Sequence, residues 1–591
     1  MRKLFRFLKP YWFAILMMVV LVTAQSVGSL MLPNYTSRLI GEGVTANPDG
    51  PGVVVNYAII LEYGAWMLGI TLVSAAATIG TSYFSSTVST RFGRDIRRAI
   101  YKKVNGFSLA ESDKFGTSTL ITRSTNDVQQ VQTHTIMSFR MILTIPVMMI
   151  GGIILTIQSS PTLSQVLIAG IPALVILVTV TFLLVFPYFK SMQKKIDKLT
   201  LVGRESMSGI RVIRAFGRGT KEVARFRDAN DDLNDTSMKA GRIMSFLNPS
   251  INLLFSLVMF GVVLLAYGMV TAAGVTPTTD FTALGSLFAV INYVTMIMFS
   301  IIMLTITFIN YPRAEVSGKR ISEILDTVVT VVDTDSRAYD DHAFKGEIAF
   351  DHVSFKYADA EKNVLDDISF TVRPGETVAI IGSTGSGKST VINLIPRLFD
   401  ATTGKVTIDG VDVREIRFAK LRSLIGFVPQ TATLFTGTIA ENIAYGKPDA
   451  TEEEIRRAAE IAQASEFIET YENKYEHIVD QGGVNYSGGQ KQRISIARAI
   501  VRRPPVFIFD DSFSALDFKT DAKLRAELKP ITRDAAVLIV AQRIGTIMDA
   551  TRIIVLQDGR IVGSGSHRDL MRDCTVYREI ALSQLSEEEL K

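Results

Sequence analysis

Gly382-Ser383-Thr384-Gly385-Ser386-Gly387-Lys388-Ser389 decides how the second half of this chain folds. The stretch fits GxxxxGK[ST], in which glycines let backbone N–H groups curl around phosphate oxygens. An apolar strand, Thr377–Ile381, runs into it and a helical run, Thr390–Leu398, runs out of it. That order sets the loop at the carboxyl edge of a parallel sheet, where a helix N-terminus adds partial positive charge. Lys388 then reaches the β- and γ-phosphates of a nucleotide, and the Ser389 hydroxyl binds Mg2+. Further along, Pro505-Val506-Phe507-Ile508-Phe509-Asp510 reads as a buried parallel strand that delivers a second Mg2+-directed group, the Asp510 carboxylate, to the same edge.

The first half reads differently. Of 591 residues 47% are hydrophobic and 20% charged, but the apolar ones gather before residue 313. Lys and Arg are missing from 10–37, 39–90, 141–189 and 243–312. A spanning helix takes roughly 20 apolar residues. The first two windows hold one span each. The third holds two, parted at Gln158-Ser159-Ser160-Pro161, and the fourth holds two, parted at Gly274-Val275-Thr276-Pro277. Six spans result. Segments 91–140 and 190–242 carry nine and thirteen basic residues, whereas the short loops near 41–56, 158–164 and 271–282 carry none. The basic segments, and with them both termini, are therefore expected on the cytoplasmic side. They are too long for turns and read as helix extensions folded back at two tips, near 105–115 and 203–216. Leu4, Phe5 and Leu8 alternate with Arg2, Lys3, Arg6 and Lys9, as in a short helix lying on the membrane surface.

The net charge of +5 suggests nucleic acid only weakly, because the basic residues sit between apolar spans; they suit anionic membrane lipid, and no nucleic-acid partner is expected. A single cysteine, Cys574, excludes an internal disulfide, and five scattered histidines lack metal-ligand spacing. The windows put no charge into spans three to six, which argues against an ion pump. Glu42 and Glu62 fall near the outer mouth, as rim charges or gate. Met148, Met149, Met296, Met298 and Met303 with Phe255, Phe260, Phe288 and Phe299 fit either ordinary helix packing or an adaptable apolar pocket for small amphiphilic substrates. The expected organisation is an all-α six-helix transmembrane domain over 1–327, a polar linker over 328–345, and an α/β P-loop NTPase domain over 346–591.

Between the phosphate loop and Asp510 stands Tyr486-Ser487-Gly488-Gly489-Gln490, followed by the helical KQRISIARAIV. This resembles the signature of the ATP-binding cassette (ABC) superfamily, with Tyr in place of the usual Leu. Six spans before one cassette, with GIRVIRAF in the second basic connection, are similar to the exporter (type IV) branch. The resemblance implies that ATP and Mg2+ are bound by residues 382–389 with Thr390, that Tyr357 stacks on adenine, and that Gln430 contacts Mg2+ and relays nucleotide state. It implies a D-loop at Ser514-Ala515-Leu516-Asp517. It also implies that Ser487, Gly488, Gly489 and Gln490 face a nucleotide held by a second half-transporter, so one cassette completes no site alone.

Two positions depart from the family. Asp511 stands where a Glu polarises the attacking water, and Gln542 where a switch His contacts the γ-phosphate. Gln481-Gly482 replaces the usual Glu-Arg. The shorter Asp sets its carboxylate about 1.5 Å back, and catalysis tolerates such displacement poorly. Gln carries neither charge nor a transferable proton. This pattern resembles the degenerate-site subunit of heterodimeric bacterial multidrug exporters in the plasma membrane, whose partner supplies the Glu and His. A slow homodimeric exporter of lipid or peptide, and an ATP-gated sensor or channel, are the other readings.

Overall fold

The computed structural model describes residues 2–46, 53–272, 281–358 and 360–585. The expected break at Gly274–Pro277 and the middle of the first outer loop lie outside the described residues. The chain forms two compact units, residues 1–103 with 118–326, and residues 104–117 with 327–591.

The first unit is helical. After a 3-10 turn at Arg2–Tyr11 come α1 (Trp12–Gly43) and α2 (Tyr57–Asn105). A small antiparallel hairpin, Val44–Ala46 with Val53–Val55, joins them. Then follow α3 (Leu109–Phe115), α4 (Thr117–Thr122), a π-helical turn at Arg123–Asp127, α5 (Val128–Ser159), α6 (Pro161–Ser208), α7 (Ile210–Ala215), α8 (Gly219–Ala272) and α9 (Phe281–Asp326). Of these, α3 packs in the second unit. Six helices are long and apolar enough to cross a membrane, as the basic-free windows require. Only Ser160 separates α5 from α6; its hydroxyl accepts from the Leu163 N–H, and Pro161 starts the next helix where no N–H is needed.

The basic segment 91–140 continues the spanning helices as expected: α5 runs unbroken through Arg140, whose guanidinium donates to the Ser82 hydroxyl on α2. One detail differs from expectation. The second tip begins later than expected, because α6 continues through Gly203 to Ser208 before the chain turns at Gly209.

Without water between helices, close approach of small residues holds membrane spans together. Gly152 of α5 lies against Ile297 of α9, and Gly170 of α6 against Val258 of α8. The Tyr293 hydroxyl, fully buried on α9, donates to the Leu30 carbonyl of α1 at 3.0 Å. A side chain on Gly285 would run into the Ser37 backbone carbonyl, so α1 and α9 meet there only because the side chain is absent.

The second unit carries two large sheets and, among the described residues, a small antiparallel pair, Gly437–Thr438 with Ile478–Val479. A four-stranded antiparallel sheet runs Leu365–Val372, Ile348–Phe355, Thr403–Ile408, Val411–Asp412. A six-stranded sheet runs Arg560–Gly565, Arg552–Gln557, Thr377–Gly382, Ala536–Val540, Val506–Asp510, Ile425–Val428, parallel except for its first, hairpin-joined edge. Val506–Asp510 and Ala536–Val540 are buried at every position, as strands covered on both faces must be. Ile380, Ile508 and Leu538 join the core on one face; Phe507, Phe509 and Ile539 join that on the other.

Gly285→Ala is expected to destabilise the detergent-solubilised chain by roughly 1–3 kcal/mol through overpacking. Gly64→Ala, whose added methyl meets nothing within 4 Å, should leave stability unchanged or slightly raised. Thermal-shift melts of the two variants check the pair.

Candidate nucleotide site

Four parallel strands end at one edge. The phosphate loop leaves Thr377–Gly382, Gln542 follows Ala536–Val540 by two residues, Asp510 closes Val506–Asp510, and Gln430 follows Ile425–Val428 by two. In-register pairing, Val540 with Ile380 and with Asp510, brings these groups together.

Gly385 and Gly387 take φ of +84° and +97°, a left-handed backbone that a side chain would strain, and the helix Lys388–Leu394 starts directly behind them. It is shorter than the sequence suggests; Pro396 follows closely and the rest of the run to Leu398 turns. The Lys388 ammonium folds back over the loop and donates to the Gly382 carbonyl at 2.9 Å and the Ser383 carbonyl at 2.7 Å, with Ser386 Oγ at 3.5 Å. Burial lowers its pKa, against the pull of Asp511 and Asp510. The Ser389 hydroxyl donates to Asp510 Oδ1 at 3.3 Å. The Tyr357 ring stands edge-on to Phe355 and Phe399, about one third exposed, with its hydroxyl 3.1 Å from Thr390 Oγ1. That bond ties the candidate adenine platform to the loop's own helix.

Asp511 is the centre of the remaining geometry. Its backbone sits at φ +46°, and its N–H donates to the Val540 carbonyl at 2.8 Å. A single carboxylate oxygen, Oδ2, accepts from Gln542 Nε2 at 3.0 Å and from Gln430 Nε2 at 3.4 Å. The two glutamines, 112 residues apart in the chain, thus meet on one atom. Burial raises the pKa of Asp511 and of Asp510, the latter further through its charged neighbour. Ser389 and Asp510 meet beside the loop and Gln430 reaches the adjacent Asp511; hydroxyl, amide and carboxylate oxygens beside two neighbouring buried carboxylates are a hard-oxygen chemistry that suits Mg2+.

The signature residues stand apart from this cluster. Ser487 caps the helix Gly488–Ile500, accepting from Gln490 N–H at 3.3 Å while Gln490 Oε1 accepts from the Ser487 N–H at 2.9 Å. Gly488 and Gly489 thus present the bare first turn of a 13-residue helix, where an anion is favoured. Asp517 caps the helix Phe518–Ile531, accepting from the Thr520 N–H at 2.9 Å. Among the described residues no hydrogen bond links the signature to the phosphate loop. Tyr486 fills the core beside Tyr471, His477 and Phe467, which explains why an aromatic is accommodated where Leu is usual.

Residues 15–310 match the family model of the ABC transporter transmembrane region and residues 365–514 the ABC transporter family model. An uncharacterised ABC transporter ATP-binding protein of Mycobacterium tuberculosis is 39% identical over 98% of this chain and 97% of its own length. A counterpart in Bacillus subtilis is 37% identical over 100% and 99%. An ATP-dependent lipid A-core flippase of Chromohalobacter salexigens is 31% identical over 100% and 98%. The structure of a bacterial Atm1-family ABC exporter with ATP bound shares the fold, with TM-score 0.76 and 24% identity over 98% of this chain and 99% of that one. The chain belongs to the ABC transporter family: a multi-pass membrane protein carrying a transport ATPase cassette, with the fold of an exporter.

Raised carboxylates set a pH dependence. Ionising Asp511 costs more in the folded chain than in the unfolded one, so the stability its neutral form gives is complete below the ordinary value of 3.8 and is lost as pH climbs through the raised value. Asp511→Asn keeps an acceptor for Gln542 and removes that cost. The nucleotide-free variant should melt above the parent at pH 7.5, with the gap narrowing as pH falls; scanning fluorimetry across a pH series checks it.

Proposed function

We propose that this chain is one half of an ATP-driven exporter in a bacterial plasma membrane, and that its own ATP site binds nucleotide but turns it over slowly. One observation carries the reading: both amides, Gln542 and Gln430, donate to a single oxygen of Asp511. An attacking water needs a carboxylate oxygen free to take its proton and a neighbour able to hold charge near the γ-phosphate. Here the shorter side chain has one oxygen occupied by amides that relay no proton. The binding parts are intact. Lys388 and the loop would hold the phosphates, Tyr357 and Thr390 the adenine side, and Ser389, Gln430 and Asp510 would hold Mg2+, which would neutralise phosphate charge.

A different half-transporter with Glu and His at these positions supplies the fast site, and Ser487–Gln490 with Asp517 complete that partner's site. Support for a partner comes from the second tip, where Met207, Val212 and Phe216 are 81%, 60% and 75% exposed on a segment outside the apolar windows. The domain assignment is 1–327, linker 328–345 and 346–591, with both termini cytoplasmic. The substrates are amphiphilic or hydrophobic: a weakly charged membrane half favours them, and a relative is named a lipid A-core flippase. Closure of paired cassettes on ATP turns the cavity outward, and hydrolysis at the partner's site resets it.

ATPase measurements on the purified chain, alone and with the subunit that copurifies from native membranes, test this. The chain alone should run at about one hundredth of the complex or less. Asp511→Glu combined with Gln542→His should raise the isolated chain at least about tenfold. A chain that alone matches the complex sinks the reading.

A further inference from the structure

The chain passes between its two compact units at three places, 103/104, 117/118 and 326/327. The first two flank the tip that holds α3; the third follows α9. A carboxylate near all three is shared between the segments they bound. Glu111, on the first turn of α3, is only 4% exposed. Its Oε2 accepts from the Ser108 N–H at 2.8 Å and the Ser108 hydroxyl at 2.7 Å. Its Oε1 accepts from the Thr330 N–H at 3.1 Å and the Thr330 hydroxyl at 2.8 Å. Thr330 lies four residues past the end of α9 at Asp326.

A helix cap needs only the first oxygen. The second is spent on a segment 219 residues away in sequence. Four donors on one carboxylate hold its pKa below the ordinary value against the opposing effect of burial, so Glu111 stays ionised and its bonds are charge-assisted. Around this point Leu109 and Ala110 pack on the cassette core with Tyr339, Phe344, Leu398 and Ala401. Downstream, Asp333 accepts from the Phe418 N–H at 2.8 Å, fixing the linker to the cassette as well. Both the tip and the start of the linker are thus parts of the cassette's own body.

We infer that Glu111 is a positioning residue for energy coupling: it clasps the tip to the linker, so that a displacement of the cassette reaches α2, α5 and α9 together. Without it, the tip and the linker stay joined at this point only through the Ser108 and Thr330 hydroxyls, 3.1 Å apart, and nucleotide-driven motion dissipates in whichever segment is slacker. The inference rests on the ATP-driven alternation proposed above. It concerns neither the catalytic pair nor the identity of the partner. Apolar packing alone leaves the tip attached to the cassette, so loss of the clasp should weaken transmission rather than ATP binding.

The test uses the full chain as it purifies from membranes, with Cys574→Ser and a nitroxide on Leu61→Cys. Leu61 is 72% exposed near the end of α2 distant from the tip. Electron paramagnetic resonance with and without MgATP reports the span, and a fluorescent ATP analogue reports cassette affinity. Glu111→Ala and Glu111→Gln should keep nucleotide affinity within about threefold while the MgATP-driven spectral change falls at least about threefold. Thr330→Val, which spares the helix cap, should lie between. If the parent responds and the Glu111 variants respond equally per bound nucleotide, the clasp does not couple. If affinity and melting temperature collapse together while Thr330→Val is silent, Glu111 is only a cap and the inference fails. A parent that binds ATP with no change at Leu61 refutes ATP-driven alternation itself, and the clasp with it.

Discussion

Parallel register in the six-stranded sheet is the constraint on which the rest of the cassette depends. Val506–Asp510, Ala536–Val540, Thr377–Gly382 and Ile425–Val428 run the same way, so all four release their chains at one edge. A five-residue strand is about 17 Å long. Reversing any one of them would carry its functional group that far from the others. Burial on both faces protects the register: a one-residue slip of Ala536–Val540 would exchange Leu538 with Ile539 between two separate cores. The phosphate loop is therefore positioned by apolar packing well below it, and its glycines only make the last turn possible.

At that edge the chemistry is set by how few charges are available. Asp510 and Asp511 are neighbours in the chain, both held by burial above their ordinary pKa, with Lys388 as the nearby ammonium. A divalent cation with a nucleotide relieves that repulsion, which favours binding. Turnover asks for something else, a base free to move towards water and a charged donor across from it. Gln542 gives Asp511 a neutral amide at 3.0 Å. A neutral donor steadies the carboxylate where it stands and offers no positive charge to a developing phosphate transition state. On the function proposed above, binding and turnover draw on different residues that meet where Gln430 donates to Asp511 at 3.4 Å.

Much of this was legible in the sequence, for identifiable physical reasons. Continuous apolar runs ending in Asp or Gly read directly as buried strands, and basic-free windows read as spans because lipid excludes charge over a fixed thickness. What failed to show has equally definite causes. The second tip opens at Gly209 and not Gly203 because α6 carries its backbone bonding on to Ser208. The helix after the phosphate loop ends at Leu394 rather than Leu398, and Pro396 was there to signal it. The shared hydrogen bonds on Asp511 required knowing that Gln430 and Gln542 leave strands on either side of Val506–Asp510. The Glu111 clasp was half visible: Ser108 and Glu111 have the spacing of a capping box, but nothing local points to Thr330.

Work in such a machine comes from differential affinity, not from bond cleavage as such. Moving a two-state equilibrium from mostly open to mostly closed takes roughly 5.5 kcal/mol of preferential binding, and an intact binding set supplies a share of it whether or not its phosphate is cleaved. Slow turnover at one site then lengthens the closed state instead of idling it. That advantage exists only if closure is transmitted without slack. Long helices transmit well along their axes, since each residue is fixed by its own backbone bonds, but the joints between them do not. The joint between the cassette and its three chain crossings is built from two short segments: 106–116, whose one element is the seven-residue α3, and 327–331, which holds no helix or strand. Stiffness there has to come from side chains, and a buried, fully hydrogen-bonded carboxylate is the stiffest one the segment contains.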